Sequence, residues 1–283
     1  MKWCPRVKYI EVSGSTKVCL VIGDPIAHSL SPHLHNAAYQ ATGLSYVMAA
    51  ARVQEHDLAR AVDGVRALAI QGLACTMPHK VAMTKLIDNL DPIARAIGAV
   101  NTVVNIDSVL TGYNTDWLGI LRPLERQGKL RGKRVAVLGA GGAAQAAVYA
   151  GVSQGALVTI FNRSIDKAQE IAQRHDCKAL PLTEEQDLGA FEIIINTTSV
   201  GMGALTHLSP LSAHQISRGQ IVFETIYHPF ETILLRAARE RGAECIHGFE
   251  MFLEQGAAQF ELHTGVPAPR DIMRRALQNS LIV

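Results

Sequence analysis

Cysteine is scarce in this 283-residue chain: there are five, Cys4, Cys19, Cys75, Cys177 and Cys245, widely spaced and without a CxxC pair. An odd, scattered set fits neither a disulfide framework nor a zinc site, and it points to a reducing compartment. An excess of either charge is lacking too. With 27 basic against 25 acidic residues and a net charge of +2, there is no basic tail or patch of the kind that binds nucleic acid or a membrane surface. No run approaches the ~20 apolar residues of a membrane span. The opening MKWCPRVKYIEVSGST has no apolar signal-peptide core, so residues 1–15 read as a loose leader and the protein as cytoplasmic. Internal repeats and low-complexity segments are also missing. What is present is 48% hydrophobic residues, enough for a substantial core in one large domain or two moderate ones. A packed α/β enzyme acting on small metabolites is the class left standing.

Residues 72–80, GLACTMPHK, organise the rest of the chain. Pro78 lacks a backbone donor and holds Met77 extended, so an apolar β-like run stops there, and helical periodicity resumes after His79 and runs through Ile87. Lys80 therefore falls at a strand-to-helix turn. The carboxyl end of a strand is where open α/β sheets place ligands, and a helix N-terminus disfavours a positive charge. A plain solvated lysine is the competing explanation.

Before that turn, KVCLVIG (17–23) is a β-branched strand ending in the turn-former GDP. In the following IAHSLSPHLHNAAYQATG, Ser31 is suited to cap a helix with Pro32 at its first position and Gly43 beyond its end, which turns Ser29 and Ser31 toward the space above the sheet. A strand over 46–53 and a helix over 55–67 complete a βαβα alternation, the signature of a parallel sheet covered by helices. Residues 97–116 break that rhythm. VNTVVN and VLTGYN flank the turn-like IDS, which predicts a hairpin at one edge of the first sheet, bracketed by Asn101-Thr102 and Asn114-Thr115-Asp116. Those groups can share one cleft, and 114–116 can also cap the helix that starts near Trp117.

After a helix over 117–127, the charged GKLRGKR is a natural boundary. RVAVLGAGGAAQAAVYAGVSQG then opens a second unit, in which a buried strand runs into Gly139, Ala140, Gly141, Gly142, Ala143 and Ala144 and then a helix. Glycines there let the backbone approach a pyrophosphate held by the helix N-terminus, the pattern of a dinucleotide site. The next strand, ALVTIFN, ends at Asn162 without the acidic residue that an NAD site places near the ribose. Asn162, Arg163, Ser164 and Lys167 instead offer cations and a hydroxyl suited to a 2′-phosphate, which favours NADP; a solvated loop arginine is the alternative. Two further strands, FEIIIN and QIVFETIY, the second ending at Tyr227, are expected to finish on the cofactor side. From His228 the pattern turns helical, with Gln255 and Gly256 in the middle of one helix, where the glycine signals a close approach. The histidines His28, His33 and His35 have no carboxylate motif to complete a metal site, and no metal is expected.

These motifs, over about residues 18–265, resemble the shikimate dehydrogenase family, including its quinate-using members. The family's Ser-x-Ser-Pro corresponds to Ser29-Leu-Ser31-Pro32, its Thr-x-Pro-x-Lys to Thr76-Met-Pro78-His-Lys80, its Gly-Ala-Val-Asn-Thr to 98–102 and its Asn-Thr-Asp to 114–116. The glycine loop matches 139–144, the Asn-Arg-Thr clamp 162–164, Asn-x-Thr-Ser-x-Gly-Met 196–202 and Gln-Gly-Ala 255–257. Departures are Cys75 for Asn, His79 for Phe, Ser164 for Thr, Trp117 for Gly and Glu224 for Asp; Cys75, His79 and Trp117 are expected to bear on the pocket rim.

The resemblance implies an α/β fold with a substrate-binding catalytic domain over 1–119, completed by C-terminal helices over 249–283, and a Rossmann domain over 120–248, with a cleft between them. It implies NADPH-dependent reduction of 3-dehydroshikimate to shikimate, and the reverse, in aromatic amino-acid biosynthesis. Lys80 would carry the proton and Asp116 would hold it. Ser29, Ser31 and Tyr227 would bind the substrate carboxylate, and Thr76, Asn101 and Gln255 the ring hydroxyls or carboxylate. Gly139, Ala140, Gly141, Gly142, Ala143, Ala144, Asn162, Arg163, Ser164, Lys167, Thr198, Met202 and Gly248 would line the cofactor. A small-molecule substrate, a monomer or homodimer, and no nucleic-acid or membrane partner are expected. Quinate or aminoshikimate oxidation is the nearest rival. A non-catalytic ligand sensor is another, against which Lys80 and Asp116 argue.

Overall fold

The computed structural model describes residues 12–281. Residues 1–11 of the expected leader, Cys4 among them, and the last two residues lie outside these. The chain builds two six-stranded sheets with helices on their faces.

The first sheet is made from β1 (Lys17–Gly23), β2 (Tyr46–Arg52), β3 (Gly72–Cys75), β4 (Asn89–Leu90), β5 (Thr102–Ile106) and β6 (Val109–Tyr113), in the order β2-β1-β3-β5-β6-β4. Strands β2, β1 and β3 run parallel, while β5 pairs antiparallel with both β3 and β6. Among them are helices α1 (Ser31–Thr42), α2 (Leu58–Ala67) and α3 (Pro92–Ile97). The hairpin turns at Asp107 and Ser108, both at positive φ, which suits a tight two-residue connection. It is not at the sheet edge, however: the two-residue β4 pairs with β6 outside it. Sequence reading passed over β4 and α3, although Asp91 caps Ile93 N and Ala94 N just before Pro92, an ordinary helix start.

Two local expectations need correction. No α-helix follows Lys80: a 3₁₀ turn over Ala82–Lys85 is all that forms. The Asp88 carboxylate accepts from Leu110 N at 2.7 Å and pairs with Arg66, and Asp88 N donates to Leu110 O, so the chain is drawn into the sheet before a second turn can close. Lys80 thus has no α-helix dipole behind it. Ser31 is not the cap of α1 either: Leu30 occupies that position, and the Ser29 hydroxyl accepts from Ser31 N at 3.3 Å.

Helix α4 (Asp116–Glu125) leads to the second sheet, made from β7 (Arg134–Leu138), β8 (Leu157–Asn162), β9 (Lys178–Pro181), β10 (Ile193–Asn196), β11 (Ile221–Glu224) and β12 (Glu244–Ile246). Its order is β12-β11-β10-β7-β8-β9, and every pairing is parallel. Strands β7 and β10 are nearly continuous apolar runs because helices α5 (Gly142–Ser153), α6 (Ile165–His175) and α7 (Ile233–Glu240) cover the sheet. Strand β11 ends at Glu224, three residues short of the expected Tyr227.

Helix α8 (Gly248–Thr264) returns to the first sheet, where Phe249, Leu253, Ala257 and Phe260 share a core with Val21, Leu34 and Tyr39, and α9 (Arg270–Leu281) packs behind it. The chain therefore crosses between sheets twice, through α4 and α8, and the two crossings touch. A Cβ at Gly119 would stand 2.7 Å from Met251 O. Around this crossing, buried Glu254 pairs with Arg122, Arg126 and Arg270. Gly256 also has its explanation: a Cβ there would collide with Leu34 of α1.

Candidate active site

Strand β3 stops at Cys75, and the turn after it presents Lys80, whose Nζ donates to Asp116 Oδ2 at 2.5 Å. The lysine side chain is 19% exposed and that of Asp116 is 4% exposed, so the pair is shielded on most sides but open toward one. Asp116 is the first residue of α4. Its other oxygen, Oδ1, accepts from Asn101 Nδ2 at 2.8 Å, and the same amide donates to Thr115 Oγ1 at 2.9 Å. Asn101 Oδ1 in turn accepts from Thr115 N at 2.7 Å and Thr102 Oγ1 at 2.8 Å. The two polar groups that bracket the hairpin thus meet, as expected: the Asn101 amide nitrogen holds Asp116, and its oxygen holds Thr115 and Thr102. Asn114 contributes locally, accepting from Asp116 N at 3.0 Å and donating to Ala99 O at 2.9 Å.

The other residues expected to bind substrate lie on the Lys80 turn, at the start of α1, and on or beside α8. Thr76 begins the Lys80 turn, its N–H on Ile22 O and its methyl against Gly23, where a Cβ would come within 2.5 Å. Ser29 and Ser31 open α1, partly and fully buried respectively. Gln255 is buried on α8 with its Cβ toward Gly119 of α4, and its amide donates to Phe252 O at 2.9 Å. The Tyr227 ring packs on Phe252 with centroids 4.5 Å apart. Burial pushes its phenol up to about 12, so it stays a neutral hydroxyl around pH 7.

From the second sheet, the glycine turn reaches the same place. A Cβ at Gly142, the first residue of α5, would stand 3.2 Å from Lys80 Cδ and 3.4 Å from its Cβ. Gly139 has φ +109°, which a side chain rarely adopts, and the position beside Gly141 is open space. Ala140 packs partly and Ala144 fully into the core beneath, and Ala143 is partly buried. Asn162 Nδ2 closes the next turn on Ser164 O at 2.9 Å, leaving Arg163, Ser164 and Lys167 exposed. Neither Arg163 nor Lys167 makes an ion pair or side-chain hydrogen bond among the described residues.

Asn196, at the end of β10, is fully buried. Its amide donates to both Glu224 oxygens at 3.0 and 3.1 Å, and its Oδ1 accepts from Thr198 N and Oγ1. Met202 caps a short turn beyond Thr198, and Gly248 is needed because a Cβ there would collide with the Ile226 backbone. Of the departures expected to bear on the pocket rim, Cys75 and His79 are buried and Trp117 is half-buried. Cys75 is buried in the first core, His79 is buried on Val53 O at 2.8 Å, and Trp117 packs edge-on to Tyr149 at 5.6 Å between α4 and α5. His35 is buried beside Tyr39 and His263, where burial pushes its pKa down to about 3, while His28 and His33 are exposed.

Comparison with known families bears directly on this arrangement. A family model described as the shikimate dehydrogenase substrate binding domain matches residues 21–103, one for shikimate / quinate 5-dehydrogenase matches 124–219, and one for the shikimate 5'-dehydrogenase C-terminal domain matches 248–278. A shikimate dehydrogenase (NADP(+)) from Moorella thermoacetica is 42% identical over 283 residues, covering 96% of each chain. The chain belongs to the shikimate dehydrogenase family. Among solved structures of shikimate dehydrogenases, one in complex with NADP+ is 36% identical, with a TM-score of 0.90 over 96% of this chain and 98% of its own. Another, from Thermus thermophilus in complex with NADP(H) and shikimate, is 33% identical, with a TM-score of 0.86 over 94% and 100%. The likeness extends over both sheets, the helices that join them and the turns that carry Lys80 and Arg163.

What sequence reading missed in this site is the joint made by Asn196, Glu224 and Thr232. Thr232 caps α7 at Leu235 N, and a threonine before ILLRAA is a usable helix-start signal.

Proposed function

We propose that this chain is a shikimate dehydrogenase that interconverts 3-dehydroshikimate and shikimate with NADP(H), a step of aromatic amino-acid biosynthesis. The observation that carries this is the Lys80–Asp116 pair, fixed by Asn101 and lying against the start of α5, where a dinucleotide-binding turn meets it. An ammonium has three donors, and Asp116 takes one, so Lys80 has others for a substrate oxygen. In reduction, Lys80 gives a proton to the oxygen of the ring ketone as it becomes an alcohol; in oxidation it takes that proton back. Asp116 keeps the ammonium aimed. The bound nicotinamide supplies or accepts the hydride.

The cofactor fits the residues present. The open space beside Gly141 and the left-handed Gly139 leave the backbone accessible to a pyrophosphate, and Arg163, Ser164 and Lys167 would hold a 2′-phosphate. Thr198, Met202 and Gly248 complete that side. Ser29, Ser31 and Tyr227 bind the substrate carboxylate through hydroxyls, and Thr76 and Gln255 the ring hydroxyls. Asn101 acts chiefly through Asp116, since its amide is engaged there. The substrate unit is residues 1–119 with 249–283 and the cofactor unit 120–248. The location is the cytoplasm, whose reducing conditions suit the free thiols Cys19, Cys75, Cys177 and Cys245.

A spectrophotometric screen of shikimate and quinate against NADP and NAD tests the assignment. The highest kcat/KM is expected for shikimate with NADP. Turnover of quinate in preference to shikimate, or none of either, overturns it.

A further inference from the structure

Glu224 ends β11, is fully buried, and stands where the family resemblance leads one to expect an aspartate. All of its hydrogen-bond partners among the described residues are donors. Asn196 Nδ2 reaches both oxygens, Ile226 N donates to Oε1 at 3.1 Å, and Thr232 Oγ1 donates to Oε2 at 3.0 Å. Such a ring of donors is satisfied by a carboxylate, and an amide in the same place would turn an N–H toward one of them.

Each donor belongs to a segment with a task. Through Asn196, whose Oδ1 holds the N–H and hydroxyl of Thr198, the carboxylate orders the turn after β10 on the cofactor side. Through Ile226 N and Thr232, it holds both ends of the loop that carries Tyr227. Ile226 backs against Gly248, where only glycine fits, so the loop is fixed from the α8 side as well. Asn196 O also accepts from Thr225 N at 3.1 Å, so the Asn196–Glu224 pair is where the two segments meet.

We propose that Glu224 is a positioning residue for both ligands at once, a buried joint that sets the Tyr227 loop for the substrate and the Thr198 turn for the dinucleotide. This rests on the dehydrogenase assignment. It places specificity for two different molecules under one side chain that touches neither.

The test compares wild type with Glu224→Gln and Glu224→Asp at about pH 8.5, where Glu224 is ionised, using kcat, the KM for shikimate, and the Kd for NADPH measured by fluorescence titration without substrate. Wild-type turnover of shikimate with NADP is the control for the underlying assignment. If it fails, that assignment falls, while the NADPH titration still tests the joint. Glu224→Gln is expected to raise shikimate KM and NADPH Kd together, each by about 10-fold, the scale of one hydrogen bond to a charged group. Saturated kcat should change far less, because Lys80 and Asp116 do not depend on this joint. Glu224→Asp, which keeps the charge, should hold both constants within about threefold of wild type. A lower yield of active enzyme with unchanged constants would make Glu224 merely structural and overturn the proposal, as would an aspartate variant no better than the glutamine one. Should Glu224→Gln fail to fold, the two arms can be cut singly. Asn196→Ala should weaken NADPH and spare shikimate, Thr232→Val should do the reverse, and constants unmoved in both would refute the joint.

Discussion

Two turns carry the charges that the proposed reaction uses, and they are finished in opposite ways. The Lys80 turn follows β3 in the first sheet, and the Arg163 turn follows β8 in the second; both strands are parallel to a neighbour and both turns lie at carboxyl ends. Around Lys80 the polar groups are paired before any ligand arrives: lysine to Asp116, Asp116 to Asn101, Asn101 to Thr115 and Thr102. Around Arg163 only Asn162 is engaged, closing its own turn, and the cations stand in water. On the proposed roles, the chemical group is pre-set because a proton must move along a defined line. The recognition group can wait, because a phosphate brings its own acceptors and organises a guanidinium on arrival.

Mutations sharpen or break this contrast. The largest effect belongs to the pre-set turn: Lys80→Ala should lower kcat about 10² to 10⁴-fold with shikimate still binding, and Asp116→Asn should behave similarly. Near-wild-type turnover at saturating shikimate would remove Lys80 from the reaction. Next comes the waiting turn. Arg163→Ala should cut the NADP over NAD ratio of kcat/KM by about 10 to 100-fold, and raised salt should erode the wild-type ratio because the clamp is exposed. A ratio indifferent to the mutation would mean the cations are only solvated surface.

Ser29→Ala and Ser31→Ala probe the proposed substrate side, where the two hydroxyls are assigned to a carboxylate. Each should raise shikimate KM about 10-fold and leave the NADP KM nearly unmoved. The reverse pattern would put both serines with the cofactor.

The smallest effect is on stability. Burial pushes Glu224 up to about 7 while its hydrogen bonds pull the other way. A carboxyl whose folded pKa is raised stabilises the fold fully below its unfolded value and loses that contribution as pH rises through the folded one. Relative to Glu224→Gln, wild type should therefore lose about 1 kcal/mol of unfolding free energy between pH 6 and 8. Urea melts at the two pH values measure it. His35 and His263, both pushed down by burial, act in the opposite sense, and the comparison with the variant cancels them.

Both turns were legible in the sequence because each is local. Pro78 marks a chain break two residues before Lys80, just past the end of β3 at Cys75, and the run 139–144 sits between a buried strand and an alanine-rich helix. The bracket of Asn101 and Asp116 was legible too, since a hairpin brings its two ends together. The path of the chain after Lys80 was not, because Asp88 is drawn off by Leu110 and Arg66 from elsewhere in the chain, and helical periodicity carries no trace of that. The surroundings of Cys75, His79 and Trp117 were not legible, because consecutive side chains point to different sides: Cys75 is buried in the first core, His79 on Val53 O, and Trp117 half-buried against Tyr149. The Glu224 joint was hidden for a related reason. Asn196 and Glu224 are adjacent in the sheet but 28 residues apart in the chain.

The contact between the two crossing helices bears on how the molecule survives cleavage. The most natural site for trypsin is the exposed loop around Lys129 and Arg131, just past α4. A cut there leaves α4 at the end of the N-terminal piece, with Gly119 seated on Met251 and Arg122 and Arg126 on Glu254, all in the other piece. The C-terminal piece also owns α8 and α9, which pack against α1 of the first. A nick at that loop therefore severs one covalent bond and none of these interfaces, so the two fragments should travel as a single native species and separate only when denatured.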